Sequence, residues 1–226
     1  MPAISAVLKF GAVEIDLKIA AGKIIEAENG AATVKILIAA LRARIGTNGE
    51  VCRMIRKART DDIGAVAAIY DAIHDLEEQG KTSIGWKRGI YPTSETALQA
   101  LNAGELFVLE ADGEVIASAK INREQMPAYA EVSWRYPASP DQVMVLHTLT
   151  VAPWASGKGY GREFLKFYET YALEQGCPIL RIDTNARNII AREMYRRHGY
   201  IESGIIPCRF NGIEGVNLVC MEKNLK

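Results

Sequence analysis

The feature that most constrains this chain is the run Leu149-Thr150-Val151-Ala152-Pro153-Trp154-Ala155-Ser156-Gly157-Lys158-Gly159-Tyr160-Gly161-Arg162. Val145–Val151 is rich in β-branched residues and reads as a buried strand, while Gly161–Gln175 reads as a helix with Gly176 as its stop. Between them lie three glycines at alternate positions. Glycine lets a backbone take unusual dihedrals and approach a ligand closely. The N–H groups of such a turn, added to the partial charge of a helix start, make a pocket for a pyrophosphate. Two nucleotide readings fail on spacing. A Rossmann turn needs Gly-x-Gly-x-x-Gly after the first strand and an acidic residue about 20 positions on. Here the spacing is Gly-x-Gly-x-Gly, late in the chain, and Gly157-Lys158 is followed by Gly159 rather than the Ser or Thr of a Walker loop.

The elements around this turn predict an α+β fold, an α/β sandwich. Met54–Ala58 is a short strand, and Thr60 caps a helix whose face is Ile63, Val66, Ala67, Tyr70 and Ile73. After a loop with Gly80, Gly85, Gly89 and Pro92, Ser94 caps a second helix that ends near Gly104. Leu106–Glu110 and Val115–Ile121 flank Asp112-Gly113, a strong hairpin signal. Ala130–Trp134 is expected as a strand. Ile179–Asp183 is another, Ile189–His198 a helix stopped by Gly199, and Tyr200–Ile206 with Val216–Glu222 a closing hairpin. The order β-α-α-β-β-β-β-α-β-α-β-β gives a mixed sheet with helices on it. Residues 1–52 form a separate ββα-like extension of unassigned role: strands Val7–Phe10 and Val13–Ile19 around Gly11, a helix Ala32–Arg44, and a join at Gly46 and Asn48-Gly49. The main domain is then 53–226.

Composition narrows the partners. The 226 residues are 49% hydrophobic and 24% charged, close to the average for soluble globular proteins, which excludes disorder and fibrous folds. Lys+Arg 27 against Asp+Glu 27 leaves no net field to draw nucleic acid or anionic lipid. No apolar run approaches the roughly 20 residues of a membrane span, and the N-terminus lacks the pattern of a signal peptide. A soluble cytoplasmic protein is expected. Cys52, Cys177, Cys208 and Cys220 are scattered without a Cys-x-x-Cys pair, and His74, His147 and His198 do not sit at ligand spacing beside them. No metal site and no disulfide is expected.

Residues 54–226 resemble the GCN5-related N-acetyltransferase (GNAT) family, whose acetyl-CoA signature is Arg/Gln-x-x-Gly-x-Gly/Ala. The resemblance rests on Leu146-His147-Thr148-Leu149-Thr150-Val151, on the glycine turn, and on Asn185-x-x-Asn188 through Tyr195-x-x-x-Gly199-Tyr200. The segment Gly85-Trp86 to Gly89-x-Tyr91-Pro92, followed by Glu95, resembles a bacterial subgroup. Ser156 stands where the family has Arg or Gln. The resemblance implies a mostly antiparallel mixed sheet flanked by helices and an acetyl-CoA-dependent transfer of an acetyl group to an amine. It assigns the pantetheine arm to the backbone around Thr150, through Leu149 and Val151, and the phosphates to the backbone of Gly157, Lys158, Gly159, Tyr160, Gly161 and Arg162. Asn188 falls beside the cofactor arm, and Tyr195 matches the general acid that protonates the leaving thiolate. A phenol of pKa about 10 suits that task, since it stays protonated at neutral pH.

An alkyl amine of pKa about 10.4 is neutral only about once in 10³ molecules at pH 7, so a base or water relay helps. His147, on the strand leading to the thioester, and Glu131 are the two candidates. Trp86, Tyr91 and Trp134 are expected at the acceptor side, with Arg88 as a cation for an acceptor's carboxylate. The leading expectation is acetylation of a small-molecule amine. Protein lysine or N-terminal acetylation and a non-catalytic acetyl-CoA sensor are the alternatives. The edge strands of the C-terminal hairpin leave room for a homodimer.

Overall fold

In the computed structural model, residues 53–226 are described throughout. Of the first 52, the strands β1 (Ile4–Phe10), β2 (Val13–Ala20) and β3 (Lys23–Glu28) are described. These three pair antiparallel in that order, with Ile4 opposite Ile19 and Asp16 opposite Glu28. Two of them are the strands predicted by alternation, and β3 adds a third. The expected helix over 32–44, the join at 46–49 and Cys52 lie outside the described residues. The chain divides into two compact units, Met1–Met54 with Ala111–Glu114 and Ile55–Glu110 with Val115–Lys226.

A seven-stranded sheet runs in the order β4-β5-β6-β7-β8-β10-β9. Its strands are β4 (Arg53–Lys57), β5 (Leu106–Ala111), β6 (Glu114–Asn122), β7 (Val143–Val151), β8 (Ile179–Asn185), β9 (Ile201–Phe210) and β10 (Ile213–Asn224). The neighbours β6–β7, β8–β10 and β10–β9 are antiparallel, while β7–β8 is parallel. Helices α1 (Ile63–Glu78), α2 (Ser94–Asn102), α3 (Tyr160–Glu174) and α4 (Ile189–Arg197) flank it. The result is the mixed α+β sandwich that the element order implied, mostly antiparallel as the resemblance implied. Asp112 and Gly113 both take positive φ, 53° and 85°, the backbone a two-residue hairpin requires.

Three local expectations are corrected. Thr60 opens a short 3-10 turn, Thr60–Asp62, and α1 begins only at Ile63. Asp62 stands just before α1 without capping it, its carboxylate reaching back to accept from Arg59 N at 2.6 Å and pairing with Arg56 at 2.7 Å. The Arg56 guanidinium holds that carboxyl below its ordinary range. Thr93, not Ser94, caps α2, accepting from Thr96 N at 3.3 Å. Residues 130–134 are not a strand. Pro127, lacking an N–H, starts a 3-10 turn that runs to Glu131, and Tyr129 and Val132 pack onto Val143, Val145 and Leu218 instead of pairing.

The core is tied through α3. Phe164, Leu165 and Tyr168 are fully buried, and the Tyr168 hydroxyl donates to the carbonyls of Met144 on β7 at 2.6 Å and Arg181 on β8 at 3.1 Å. Tyr200, equally buried, has a hydroxyl with no hydrogen-bond partner among the described residues. The two tyrosines should therefore respond oppositely to loss of oxygen. Tyr168→Phe removes the one hydroxyl proton that the two carbonyls share and is expected to cost about 0.5–1.5 kcal/mol. Tyr200→Phe removes an orphaned group and should be neutral or stabilising. Denaturant midpoints of both variants check this; equal losses would contradict it.

Candidate active site

The parallel pairing of β7 and β8 extends only from Val143 opposite Ile179 to Leu146 opposite Ile182. Beyond it the strands separate. The cause is a bulge: between Lys120–His147 and Ser118–Thr150 the register with β6 slips, with Thr148 and Leu149 facing one residue, Ala119. Thr148 sits at φ 52°, left-handed backbone that is costly for a β-branched residue. Its hydroxyl is held by Tyr91 Oη. A bulge bends its strand, so the second half of β7 stays with β6 and leaves its other edge without a strand partner.

A cavity of about 330 Å³ fills the gap. His147–Val151 and Asp183–Asn185 line its two sides, Gly161, Asn188, Met194 and Tyr195 come from α3 and α4, and Trp86, Tyr91 and Phe210 wall another part. The glycine turn lies at one end. Gly157 and Gly159 take φ 78° and 86°, conformations that favour glycine, and Gly159 is the N-cap of α3. The first turn of a helix leaves its N–H groups without intrahelical acceptors. Here the earliest intrahelical donor is Glu163 N to Gly159 O at 3.0 Å. Gly161 has ordinary φ, but a Cβ there would stand 3.1 Å from Met194 Sδ. This close, Cβ-free approach fits a pyrophosphate seated on backbone amides. Lys158 and Arg162 are exposed, Tyr160 is buried, and Ser156 lines the cavity.

Tyr195, on α4, is buried, lines the cavity and packs against Tyr200 at 6.0 Å. Burial, then the charge of Asp183, raises its phenol well above the ordinary value. It is a proton donor throughout the working pH range. Asn188 Oδ1 accepts from Ala191 N at 3.2 Å, so the residue assigned to the cofactor arm also caps α4. The Thr150 hydroxyl is bonded to Ser118 Oγ at 2.8 Å and turned to the neighbouring strand.

His147 lines the cavity, and its Nε2 lies 3.0 Å from Asn122 Oδ1 and 3.2 Å from Glu124 O. Two acceptors fix Nε2–H as the donor tautomer and leave Nδ1 as the lone-pair nitrogen. Burial, then Lys120, lowers this ring to about 4. It is neutral at pH 7 and a weak base. Glu131 ends the 3-10 turn, exposed and outside the cavity lining. Trp134 is also outside it: its Nε1 donates to Tyr129 O at 3.0 Å and its ring lies 3.9 Å from the Arg181 guanidinium.

Trp86 and Tyr91 stand in an edge-to-face series, Tyr70–Trp86 at 6.4 Å, Trp86–Tyr91 at 6.2 Å and Tyr91–Phe210 at 6.1 Å. Each ring braces the next. Glu77 anchors the loop from below, accepting from Ile84 N and Gly85 N at 2.8 Å each. Arg88, expected to face an acceptor's carboxylate, points elsewhere. It pairs with Asp71, Asp75 and Glu78 of α1 and does not line the cavity. Asp183, which the sequence reading passed over, does line it. The alternation of β8 placed Asp183 with Arg181 and Asn185 on one face, but nothing in sequence says that the face opens into a cavity.

Among the described residues no helix is long and apolar enough to cross a membrane. Comparison with known proteins points to one family. YhfO of Bacillus subtilis strain 168, described as an uncharacterized N-acetyltransferase, is 26% identical over 148 residues, covering 66% of this chain and 89% of that protein. A GNAT acetyltransferase from Streptococcus agalactiae superposes with TM-score 0.63 at 21% identity, over 77% of this chain and 96% of that one. The putative acetyltransferase yncA of Salmonella typhimurium, solved with acetyl-CoA, gives TM-score 0.57 at 20% identity over 77% and 95%. The acetyltransferase (GNAT) family matches residues 69–200, more than half of the chain, and to that family of N-acetyltransferases this protein belongs.

Proposed function

We propose that this N-acetyltransferase acetylates the primary amine of a small molecule by direct attack in a ternary complex. The observation that carries this reading is the bounded cavity of about 330 Å³ whose far wall is the braced series Trp86, Tyr91 and Phe210, a size and lining typical of small-ligand sites. Acetyl-CoA, when bound, supplies the acetyl group as a thioester. The chain's part is positioning and proton management. The backbone of Gly157–Arg162 receives the phosphates. The free edge of β7 at Leu149 and Val151 aligns the arm beside Asn188. Tyr195 donates its phenolic proton to the departing thiolate. His147, neutral, offers Nδ1 to the acceptor's proton, and Glu131, exposed outside the cavity, is the poorer base on geometry.

Thiol release from acetyl-CoA across a panel of amines, amino acids and peptides tests the reading. Turnover on small amines is expected; turnover on peptides alone would overturn it. The same assay tests the domain boundary. Residues 53–226 hold the whole cavity lining, and we expect that fragment to fold and to transfer acetyl groups at a rate within about threefold of the full chain. An insoluble fragment, or a folded and inactive one, would place the first 52 residues in the catalytic unit.

A further inference from the structure

We propose that Asp183 is the acceptor-binding carboxylate, selecting primary amines that have an apolar or aromatic body and no carboxylate of their own; this rests on the small-amine reading above. Asp183 stands opposite Cys220 in the sheet, on the end of β8 that has parted from β7, and it lines the cavity. Its Oδ2 accepts from Tyr129 Oη at 2.7 Å. Among the described residues it makes no other hydrogen bond and no ion pair, so Oδ1 is free. A carboxylate half-buried at the wall of a cavity and without a cation is poorly compensated. Burial raises Asp183 to about 6 despite the Tyr129 hydrogen bond, so it is mostly ionised at neutral pH and gains from any cation that arrives.

Among the described residues no cation pairs with it: Arg181, two residues back on the same face of β8, has its guanidinium 3.9 Å from the Trp134 ring. The groups that face Asp183 are Tyr129 from the 3-10 turn, Tyr91 from the loop, Tyr195 from α4, Cys208 from β9 and Cys220 from β10. Each is an acid shifted upward, hence neutral at pH 7. No Lys or Arg is among the cavity's lining residues, and the histidine that is, His147, is held neutral. Arg88, expected from sequence at the acceptor side, is held by three carboxylates of α1. An acceptor's ammonium therefore meets a carboxylate in a cavity walled in part by aromatic rings. An acceptor's carboxylate meets a like charge and no donor cation.

The test is calorimetric titration of the full chain, with coenzyme A present, using 2-phenylethylamine, phenylalanine and 2-phenylethanol as matched probes. The amine is expected to bind at least tenfold more tightly than either of the others. Asp183→Asn should abolish that preference while acetyl-CoA affinity stays within twofold, because the amide oxygen still receives the Tyr129 hydroxyl. Tyr129→Phe, which removes that partner but keeps the carboxylate, should retain the preference. Phenylalanine binding as tightly as the amine, or a preference that survives Asp183→Asn, overturns the inference. Loss of preference in both variants together with a fall in melting temperature also overturns it, since Asp183 then only holds Tyr129. If no probe binds, the inference fails; if peptides are acetylated in that case, the small-amine reading fails as well.

Discussion

Tyr195→Phe is expected to lower acetyl transfer by about 10²–10⁴-fold while leaving acetyl-CoA affinity and melting temperature nearly unchanged. That range corresponds to about 3–5 kcal/mol of transition-state stabilisation. The ring is buried against Tyr200 and remains in place when only oxygen is removed. Among the described residues the hydroxyl makes no hydrogen bond, so its loss leaves no partner stranded. Its upward shift, from burial and from the Asp183 charge, keeps the proton on the oxygen at neutral pH, so the hydroxyl is present as a donor to the sulfur as negative charge develops there. A purely packing tyrosine gives the reverse pattern, a lower melting temperature with turnover per folded molecule near wild type. Turnover, cofactor affinity and melting temperature measured on one preparation separate the two, and wild-type turnover removes Tyr195 from the mechanism.

Gly159→Asp and Gly161→Asp should each weaken acetyl-CoA binding by about 10²-fold or more. The two substitutions act by different routes. At Gly159, φ 86° disfavours any L-residue by about 1–2 kcal/mol, and the new carboxylate occupies the anion site at the start of α3. At Gly161 the dihedrals are tolerant, but the Cβ meets Met194 Sδ at 3.1 Å and pushes on α4. In both, a negative charge about 5 Å from a phosphate costs about 3 kcal/mol at the effective dielectric of a protein surface. Gly161→Ala separates the steric part from the charge and is expected to lose less than tenfold. Calorimetric affinities unchanged in both Asp variants would remove the turn from the cofactor site.

The elements that were legible in the sequence are those whose causes are local. The β-branched run at 145–151, the glycines that end helices at Gly104, Gly176 and Gly199, and the Asp112-Gly113 turn are read from neighbours in the chain, and each stands where it was expected. The misreadings are also local in origin: Thr60 and Ser94 are good caps by type, but the Asp62 carboxylate closes a 3-10 turn at Thr60 by binding Arg59 N, and the Thr93 hydroxyl caps the second helix. What no local rule could supply is the gap between β7 and β8. It depends on which strands become neighbours and on a bulge at Thr148 held by Tyr91, 57 residues away in the chain. Asp183 follows from the same cause. In a strand paired along its whole length it would be an isolated core carboxylate, difficult to sustain. At the point where the strands part, it faces a cavity without a cation. Sequence determined the glycine turn and, apart from the strand expected at 130–134, the order of elements in residues 53–226, because backbone conformation and periodicity are properties of adjacent residues. The tertiary structure alone decided which side chains share the cavity and which charges they leave uncompensated, because burial and Coulomb energy depend on distance in space.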